Sequence, residues 1–479
     1  MNLSLLTDFY QLTMLGAYVG SHKTEQRAVF DLYFRKVPQN GGYCIVAGLE
    51  QAMDYVANLR FSADDIDWLC SQGHFPATVR EYLKDFRFTG DIHGVPEGTV
   101  VFPQEPLLRV EAPIAQAQVL ESTLLNIVNF QTLVATKASR VCMAAAKGSV
   151  LEFGLRRAQG VDGALSASRA SYIGGCAATS NSLAGKAYGI PVRGTQAHSW
   201  IMSFASELEA FRTYAQLYPD QCLLLVDTYD TLQSGLPNAI TVARELAAQG
   251  HRLTGIRLDS GDLAYLSKQA RRMLDEAGFA DAIIVASNDL DEWIIYDLQA
   301  QGARIDSWGV GTSLVTSKGA SALGGVYKLV AAQDGHRMEP RIKVSGNPDK
   351  ITNPGIKQIW RVWDGNGIML ADALALTDEA FVAGGPVETR HPTYFHQRLR
   401  LDSVARVEPL LLPIMQGGRV VYRFPALSDI QARARQNLQQ LPEEYKRFVN
   451  PHIYWVGLTP RLFDTRAELL SAHSGALTL

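Results

Sequence analysis

Four stretches, QCLLLVDTYD (221–230), TGIRLDSGDL (254–263), AIIVASNDL (282–290) and IDSWGVGTS (305–313), share one plan. Each begins as a short strand-like run and breaks into Asp, Ser, Asn, Thr or Gly. The strands this predicts are Cys222–Asp227, Thr254–Leu258, Ala282–Ala286 and Ile305–Gly309; Ser149–Phe153, Ile190–Arg193 and Val326–Val330 fit the same plan. Helix-length amphipathic segments lie between them, at Trp200–Leu217, Asn238–Gln249, Leu263–Ala277 and Leu290–Gln301. Repeated strand–helix units imply a parallel sheet or barrel, because parallel strands need long crossover connections.

The polar residues fall where such a fold concentrates chemistry. The strands run into EFGLRR, RGTQAHS, DTYD, RLDSGD, SNDL and GVGTS, and in (β/α) barrels the strand C-terminal ends and following loops form the active face. For a single loop, helix N-capping explains Asp, Ser, Thr or Asn after a strand. Six in succession, three of them carrying Arg, point to a site.

The flanking regions read differently. Before residue 130, Asp8–Tyr18 and Glu50–Leu59 have helical patterns, Ala28–Arg35 alternates like a strand, and the Pro- and Gly-punctuated Gly94–Ala112 suits a small sheet. After about residue 330 the strand–helix rhythm stops. IKQIWRVWDGNGIMLADALAL (356–376) reads as two strands around an Asp-Gly-Asn-Gly turn, and 427–449 as a surface helix. The expected division is a sandwich-like domain over 1–135, a catalytic barrel over 136–335, strands rejoining the sandwich over 336–425, and a helical segment over 426–479.

Composition excludes several functions. Lys and Arg total 45 against 48 Asp and Glu, a net charge of −3, so there is no basic footprint for nucleic acid or an anionic bilayer. No apolar run is long enough for a transmembrane helix. The N-terminus lacks the basic flank of a secretory signal. The five cysteines are scattered with no C-x-x-C pair, which suits reduced thiols in the cytoplasm and argues against zinc.

Individual clusters leave alternatives open. GVGTS at 309–313 is either a tight turn or a phosphate cradle; it matches neither G-x-G-x-x-G nor the P-loop pattern. Asp227, Asp230, Asp259 and Asp262 could bind ribose hydroxyls or position Mg²⁺, or could cap helices and pair with Arg257. His198 stands in a polar loop without a nucleophile elbow, and alone reads as an ordinary hydrogen-bonding residue.

Together, the blocks TDFYQLTM (7–14), FRKVPQNGGYCIVAGL (34–49), EFGLRRAQGVDGALSASRASYIGG (152–175), GTQAHSW (194–200), RLDSGDL (257–263), GVGTSLVT (309–316) and VYKLV (326–330) closely resemble those of the nicotinate phosphoribosyltransferase family, in its order. The resemblance covers nearly the whole chain; the last 50 or so residues carry no diagnostic motif. It implies the type II phosphoribosyltransferase fold, an irregular α/β barrel beside a sandwich-like domain completed by later strands. It also implies a homodimer with shared sites. The implied reaction is displacement of pyrophosphate from 5-phosphoribosyl 1-diphosphate by nicotinate, coupled to ATP hydrolysis through a transient phosphohistidine, for NAD synthesis.

By that resemblance His198 is the phosphorylated histidine, flanked by the hydroxyls of Thr195 and Ser199. Phe153 and Tyr10, the latter from the partner subunit, sandwich the pyridine ring. Arg156 and Arg257 surround nicotinate and the phosphoribosyl group. Asp227, Asp259 and Asp262 face ribose, pyrophosphate or Mg²⁺, with Asp227 and Asp259 as candidate metal contacts. Asn288 joins the substrate-binding set, and Gly309, Gly311 and Thr312 hold the 5′-phosphate. Related transferases that use nicotinamide place an Asp where Asn181 stands, aligned on Ala184-Gly185, which makes Asn181 the expected discriminator of acid from amide. The rival readings are a nicotinamide- or quinolinate-specific transferase, a phosphosugar isomerase or aldolase barrel, and a non-catalytic metabolite sensor. A Schiff-base lysine or acid/base pair would mark the isomerase or aldolase, whereas these strand ends offer mainly Asp, Arg and one His.

Overall fold

The computed structural model describes residues Leu3–His473. It divides into two compact units, one formed by Met1–Leu133 with Ala322–Leu479 and the other by Val134–Ser321.

The second unit contains the parallel sheet. Its strand order is Ala178–Thr179, Ser149–Glu152, Ser307–Val310, Ile283–Asn288, Gly255–Leu258 and Leu223–Leu225, every neighbouring pair parallel. These strands are short and largely buried, as a covered parallel sheet requires. The Leu263–Glu276 helix shows the matching pattern: Leu263, Ala264, Ser267, Ala270 and Leu274 are buried at three- and four-residue spacing. All four residues of the Ser307–Val310 strand are buried, Trp308 completely. An isolated parallel bridge from Thr179 to Val192 extends the ladder at one edge. The result is the mixed α/β fold with a parallel sheet that the strand–helix rhythm predicts.

Three sequence expectations are corrected here. Ile190–Arg193 forms only that bridge, not a strand. The helix expected over Trp200–Leu217 is two, His198–Met202 and Glu207–Leu217, because the Ser206 hydroxyl accepts from the Glu209 N–H and starts a new helix there. The Val326–Val330 run belongs to Gly325–Asp334, which pairs antiparallel with Arg27–Phe34 in the first unit instead of continuing the parallel series.

The first unit holds a seven-stranded sheet in which Arg27–Phe34 lies between Gly325–Asp334 and Leu108–Pro113, and a six-stranded one that contains the hairpin Lys357–Trp363 with Met369–Leu376. The hairpin is the one read from the Asp-Gly-Asn-Gly turn. Helices form at Phe9–Gly20, Leu49–Asn58 and Leu427–Gln440. A buried ion pair joins parts of this unit that are distant in sequence, Lys357 with Asp31 at 2.8 Å, and a second, Arg361 with Asp372 at 2.5 Å, ties the two strands of the hairpin.

Candidate active site

Three neighbouring parallel strands end in one connected set of polar side chains. Asp227 follows Leu223–Leu225, and its side chain is only 1% exposed. Its Oδ1 lies 3.3 Å from His198 Nε2, while its Oδ2 accepts from the Asp259 backbone N–H at 2.9 Å and the Ser260 hydroxyl at 2.6 Å. Asp259, just past Gly255–Leu258, in turn accepts a short hydrogen bond from the Ser287 hydroxyl on Ile283–Asn288. The result is a fixed carboxylate aimed at an imidazole whose side chain keeps 38% of its surface. A buried acceptor oriented by two donors holds one ring nitrogen and leaves the other to react.

Arg257 anchors the loop that carries the histidine. Its guanidinium donates to the Thr195 hydroxyl at 2.7 Å and to the Gln196 carbonyl at 2.9 Å. Burial lowers its pKa, opposed by Asp259 and Asp227, while Arg156 adds to the lowering; a guanidinium remains a cation throughout. Positive charge therefore sits beside the histidine loop, with Arg156 exposed in the turn Leu155–Arg157.

The opposite strand ends build an apolar seat. Phe153 follows Ser149–Glu152, and its ring lies against Gly309. A Cβ at Gly309 would stand 2.7 Å from Phe153 Cδ2 and 3.2 Å from Ser287 Cβ, and one at Gly311 would stand 3.1 Å from the Phe153 carbonyl oxygen. Both glycines are required for close approach to Phe153, whatever else they bind. Thr312 opens the short helix Thr312–Val315 beside them.

Beneath Phe153 is a buried polar ring. Glu152, 1% exposed, accepts from the Gly154 N–H, from the Ser168 hydroxyl at 2.8 Å and from the Thr179 hydroxyl at 2.5 Å. Asn181 closes it by donating from Nδ2 to Ser168 Oγ at 3.2 Å and from its backbone to Thr179 Oγ1 at 2.9 Å. Its Oδ1 caps the helix Ser182–Tyr188 through the Ala184 N–H.

Several expected site residues take structural partners. Asp262 caps Leu263–Glu276 and Asp230 caps the turn Thr231–Gly235, as N-capping alone would predict. Asn288 has φ of 137° at the end of its strand, and its Oδ1 accepts from the Asp289 N–H. A non-glycine residue there carries strain. Ser199 is exposed beside His198. Tyr10 lies in the other unit, half-exposed on the helix Phe9–Gly20.

The models of the nicotinate phosphoribosyltransferase N-terminal domain, family and C-terminal domain match residues 5–129, 149–332 and 356–466. The chain is 46% identical over 471 residues to the Bacillus subtilis nicotinate phosphoribosyltransferase, covering 98% of this chain and 95% of that one. It belongs to the nicotinate phosphoribosyltransferase family. The crystal structure of human nicotinic acid phosphoribosyltransferase superposes with a TM-score of 0.85 at 32% identity, over 97% of this chain and 99% of that one. A nicotinate-nucleotide pyrophosphorylase from Pyrococcus furiosus shares the fold, at a TM-score of 0.70 and 21% identity over 92% and 96% of the two chains.

For a nicotinate phosphoribosyltransferase, the two sides of the sheet mouth divide naturally into a charged half around His198, Asp227 and Arg257 and an aromatic half around Phe153. Resident magnesium fits poorly. Among the described residues no three acidic, His or Cys side chains are grouped to hold a metal, and the oxygens of Asp227 are engaged with His198, Asp259 and Ser260. Asp227 therefore suits orientation of the imidazole. The sequence assigns no site role to Ser287 or Glu152, and none of its own to Ser260, which it places with Arg257, Asp259 and Asp262 at one strand end. Ser260 sits inside RLDSGD and was available as a donor to a neighbouring strand end; Glu152 reads as an ordinary surface-type residue until the sheet encloses it.

Proposed function

We propose that the chain transfers the 5-phosphoribosyl group to nicotinate with coupled ATP hydrolysis. The pyridine nitrogen attacks C1 of 5-phosphoribosyl 1-diphosphate, the C1–O bond breaks, and diphosphate leaves, giving nicotinate mononucleotide. No general base is needed, because the pyridine nitrogen carries its own lone pair. Charge separates in the transition state, positive on ribose and negative on diphosphate, so fixed charges and positioning dominate the catalysis. Arg257 and Arg156 serve the anionic groups. Phe153 offers a ring face to the pyridine, with Tyr10 of a second copy as the other face in a homodimer with shared sites. Magnesium enters with the diphosphate as part of the substrate, which Asp259 and Asp262 face.

In the coupling step a ring nitrogen of His198 attacks the γ-phosphorus of ATP, ADP leaves, and water later returns the phosphoryl group as phosphate. The observation that carries this reading is the His198 imidazole held by an inward-facing, doubly anchored Asp227 beside Arg257. Negative charge on the phosphorylated ring can bias the Thr195–Ser199 loop toward Arg257. Reduced cysteines suit the cytoplasm, and among the described residues no disulfide joins any of the five; no helix there is long and apolar enough to cross a membrane.

Incubation with nicotinate, 5-phosphoribosyl 1-diphosphate, Mg²⁺ and ATP should yield nicotinate mononucleotide, with acid-labile phosphate on His198. Consumption of nicotinamide or quinolinate instead would replace the substrate assignment, absence of any turnover would indicate a sensor, and label persisting in His198→Ala would refute the phosphohistidine. Mixing inactive Tyr10→Ala with inactive Arg257→Ala subunits should restore part of the activity, and no recovery in confirmed mixed dimers would refute shared sites.

A further inference from the structure

The Glu152 carboxylate is one of the most enclosed charged groups in the parallel-sheet unit, and the reaction proposed above gives it nothing to do. It touches neither the His198–Asp227 pair nor Arg257 through any of its hydrogen bonds. Instead it binds three separate pieces of chain: the Gly154 N–H immediately after Phe153, Ser168 on the helix Gly160–Ile173, and Thr179 at the end of the edge strand. Through Ser168 and Thr179 it also reaches Asn181. A buried carboxylate carries a large desolvation cost, and hydrogen bonds to it offset that cost only while every donor stays in place. A pure packing position would be filled more stably by an apolar side chain.

We infer that Glu152 is a positioning residue for the pyridine-binding half of the site. Its carboxylate ties down the Phe153–Gly154 turn, so that the Phe153 ring is pressed against Gly309 and presented as a fixed face, and the same carboxylate sets the Ser168–Asn181 side of the ring. The inference rests on Phe153 being the pyridine's partner, as the proposed function has it. The geometry supplies the direction of effect: Gly154 is held by one carboxylate oxygen while Ser168 and Thr179 share the other. Losing the charge slackens the turn and the helix together, and leaves the charged half of the site, built on other strands, with all its own hydrogen bonds.

The test compares Glu152→Gln and Ser168→Ala with wild type. The isosteric amide keeps one acceptor and removes the charge, and the second variant deletes one donor while keeping the carboxylate. For Glu152→Gln, the loss of one to two charge-assisted hydrogen bonds predicts a rise of about 10- to 100-fold in KM for nicotinate. The KM for 5-phosphoribosyl 1-diphosphate and the extent of His198 phosphorylation from ATP should stay within about twofold of wild type, since those groups keep their contacts. Ser168→Ala should give a smaller shift with the same split. A variant that raises both KM values equally, or lowers phosphorylation in step, would show a merely structural role and overturn the inference. So would an unchanged nicotinate KM in both variants. Should Glu152→Gln fail to fold, Ser168→Ala carries the same decision. Wild-type turnover tests the proposed function and the ratio of variant to wild type tests Glu152, so the two failures are distinguishable.

Discussion

Replacing Asp227 by Asn isolates the link between the sheet and the histidine. In the native arrangement one carboxylate oxygen is fixed by the Asp259 N–H and the Ser260 hydroxyl at 2.9 and 2.6 Å, and the other faces His198 Nε2 at 3.3 Å. The asparagine carbonyl is held to the first position, because only an acceptor satisfies those two donors. Its NH₂ is then turned to His198, where a donor meets a ring nitrogen that should itself donate. The ring must switch tautomer to accept, and loses a charge-assisted partner when it becomes positive or phosphorylated. A hydrogen bond to a charged group is worth roughly 1.5–3 kcal/mol, so phosphoryl transfer from ATP to the histidine should slow by about 10- to 150-fold. Folding should suffer less, since the two donors keep an acceptor. Single-turnover incorporation of acid-labile phosphate, beside urea unfolding of the same samples, separates the two effects. The same contact predicts the site of modification: with Nε2 facing Asp227, the phosphoryl group goes to Nδ1, which phosphorus NMR of the denatured protein can assign. Wild-type phosphorylation rates in Asp227→Asn would refute the reasoning, because the carboxylate would then be only a local cap.

Other outcomes follow from the same contacts. Asn181→Asp places a second carboxylate near Glu152: hydrogen bonds of 2.8 and 3.2 Å in series through Ser168 keep the two within about 6 Å, a repulsion of about 3 kcal/mol at an effective dielectric of 20. Stability to urea should fall by that order alongside nicotinate kcat/KM, whereas the sequence alone predicts a loss of nicotinate kcat/KM far larger than any change in stability; unchanged preference between the two pyridines would remove Asn181 as the discriminator. Gly309→Ala puts a methyl group 2.7 Å from the Phe153 ring, and an overpacking cost of about 1–3 kcal/mol should appear as a roughly 5- to 150-fold higher nicotinate KM; normal kinetics would mean that the ring moves freely. Burial pushes the Cys222 thiol from 9.0 up to about 12, so iodoacetamide at pH 8 should leave it unlabelled in native protein, as peptide mass spectrometry can check. Because the folded pKa is the higher one, this group's contribution to stability is intact below pH 9 and is lost as pH rises toward 12.

The local pattern was enough for the parallel sheet and for most of the charged half of the site. Strand–helix alternation from Ser149 to Ser313 is visible in residue order because each strand needs its own apolar run and each crossover its own amphipathic helix. Asp227, Arg257 and Asp259 could be placed at strand ends because polar residues there are adjacent in sequence to the strands that deliver them, whereas His198 reads from its own loop as an ordinary hydrogen-bonding residue and stands out only through the family resemblance. Residue order could not say which of these polar groups merely cap helices: Asp262 and Asp227 look alike in sequence, yet one accepts from its own helix and the other reaches across to His198 and Ser260. Nor could it place the Val326–Val330 run, whose partner Arg27–Phe34 lies 300 or so residues earlier and is set by antiparallel pairing across the chain. The glycines of GVGTS were read as room for a phosphate; only the packed structure shows that Phe153 occupies the space a Cβ would need. Glu152 is the clearest case, because a carboxylate acquires its burial, and hence its dependence on every donor around it, only when Gly154, Ser168 and Thr179 are folded onto it.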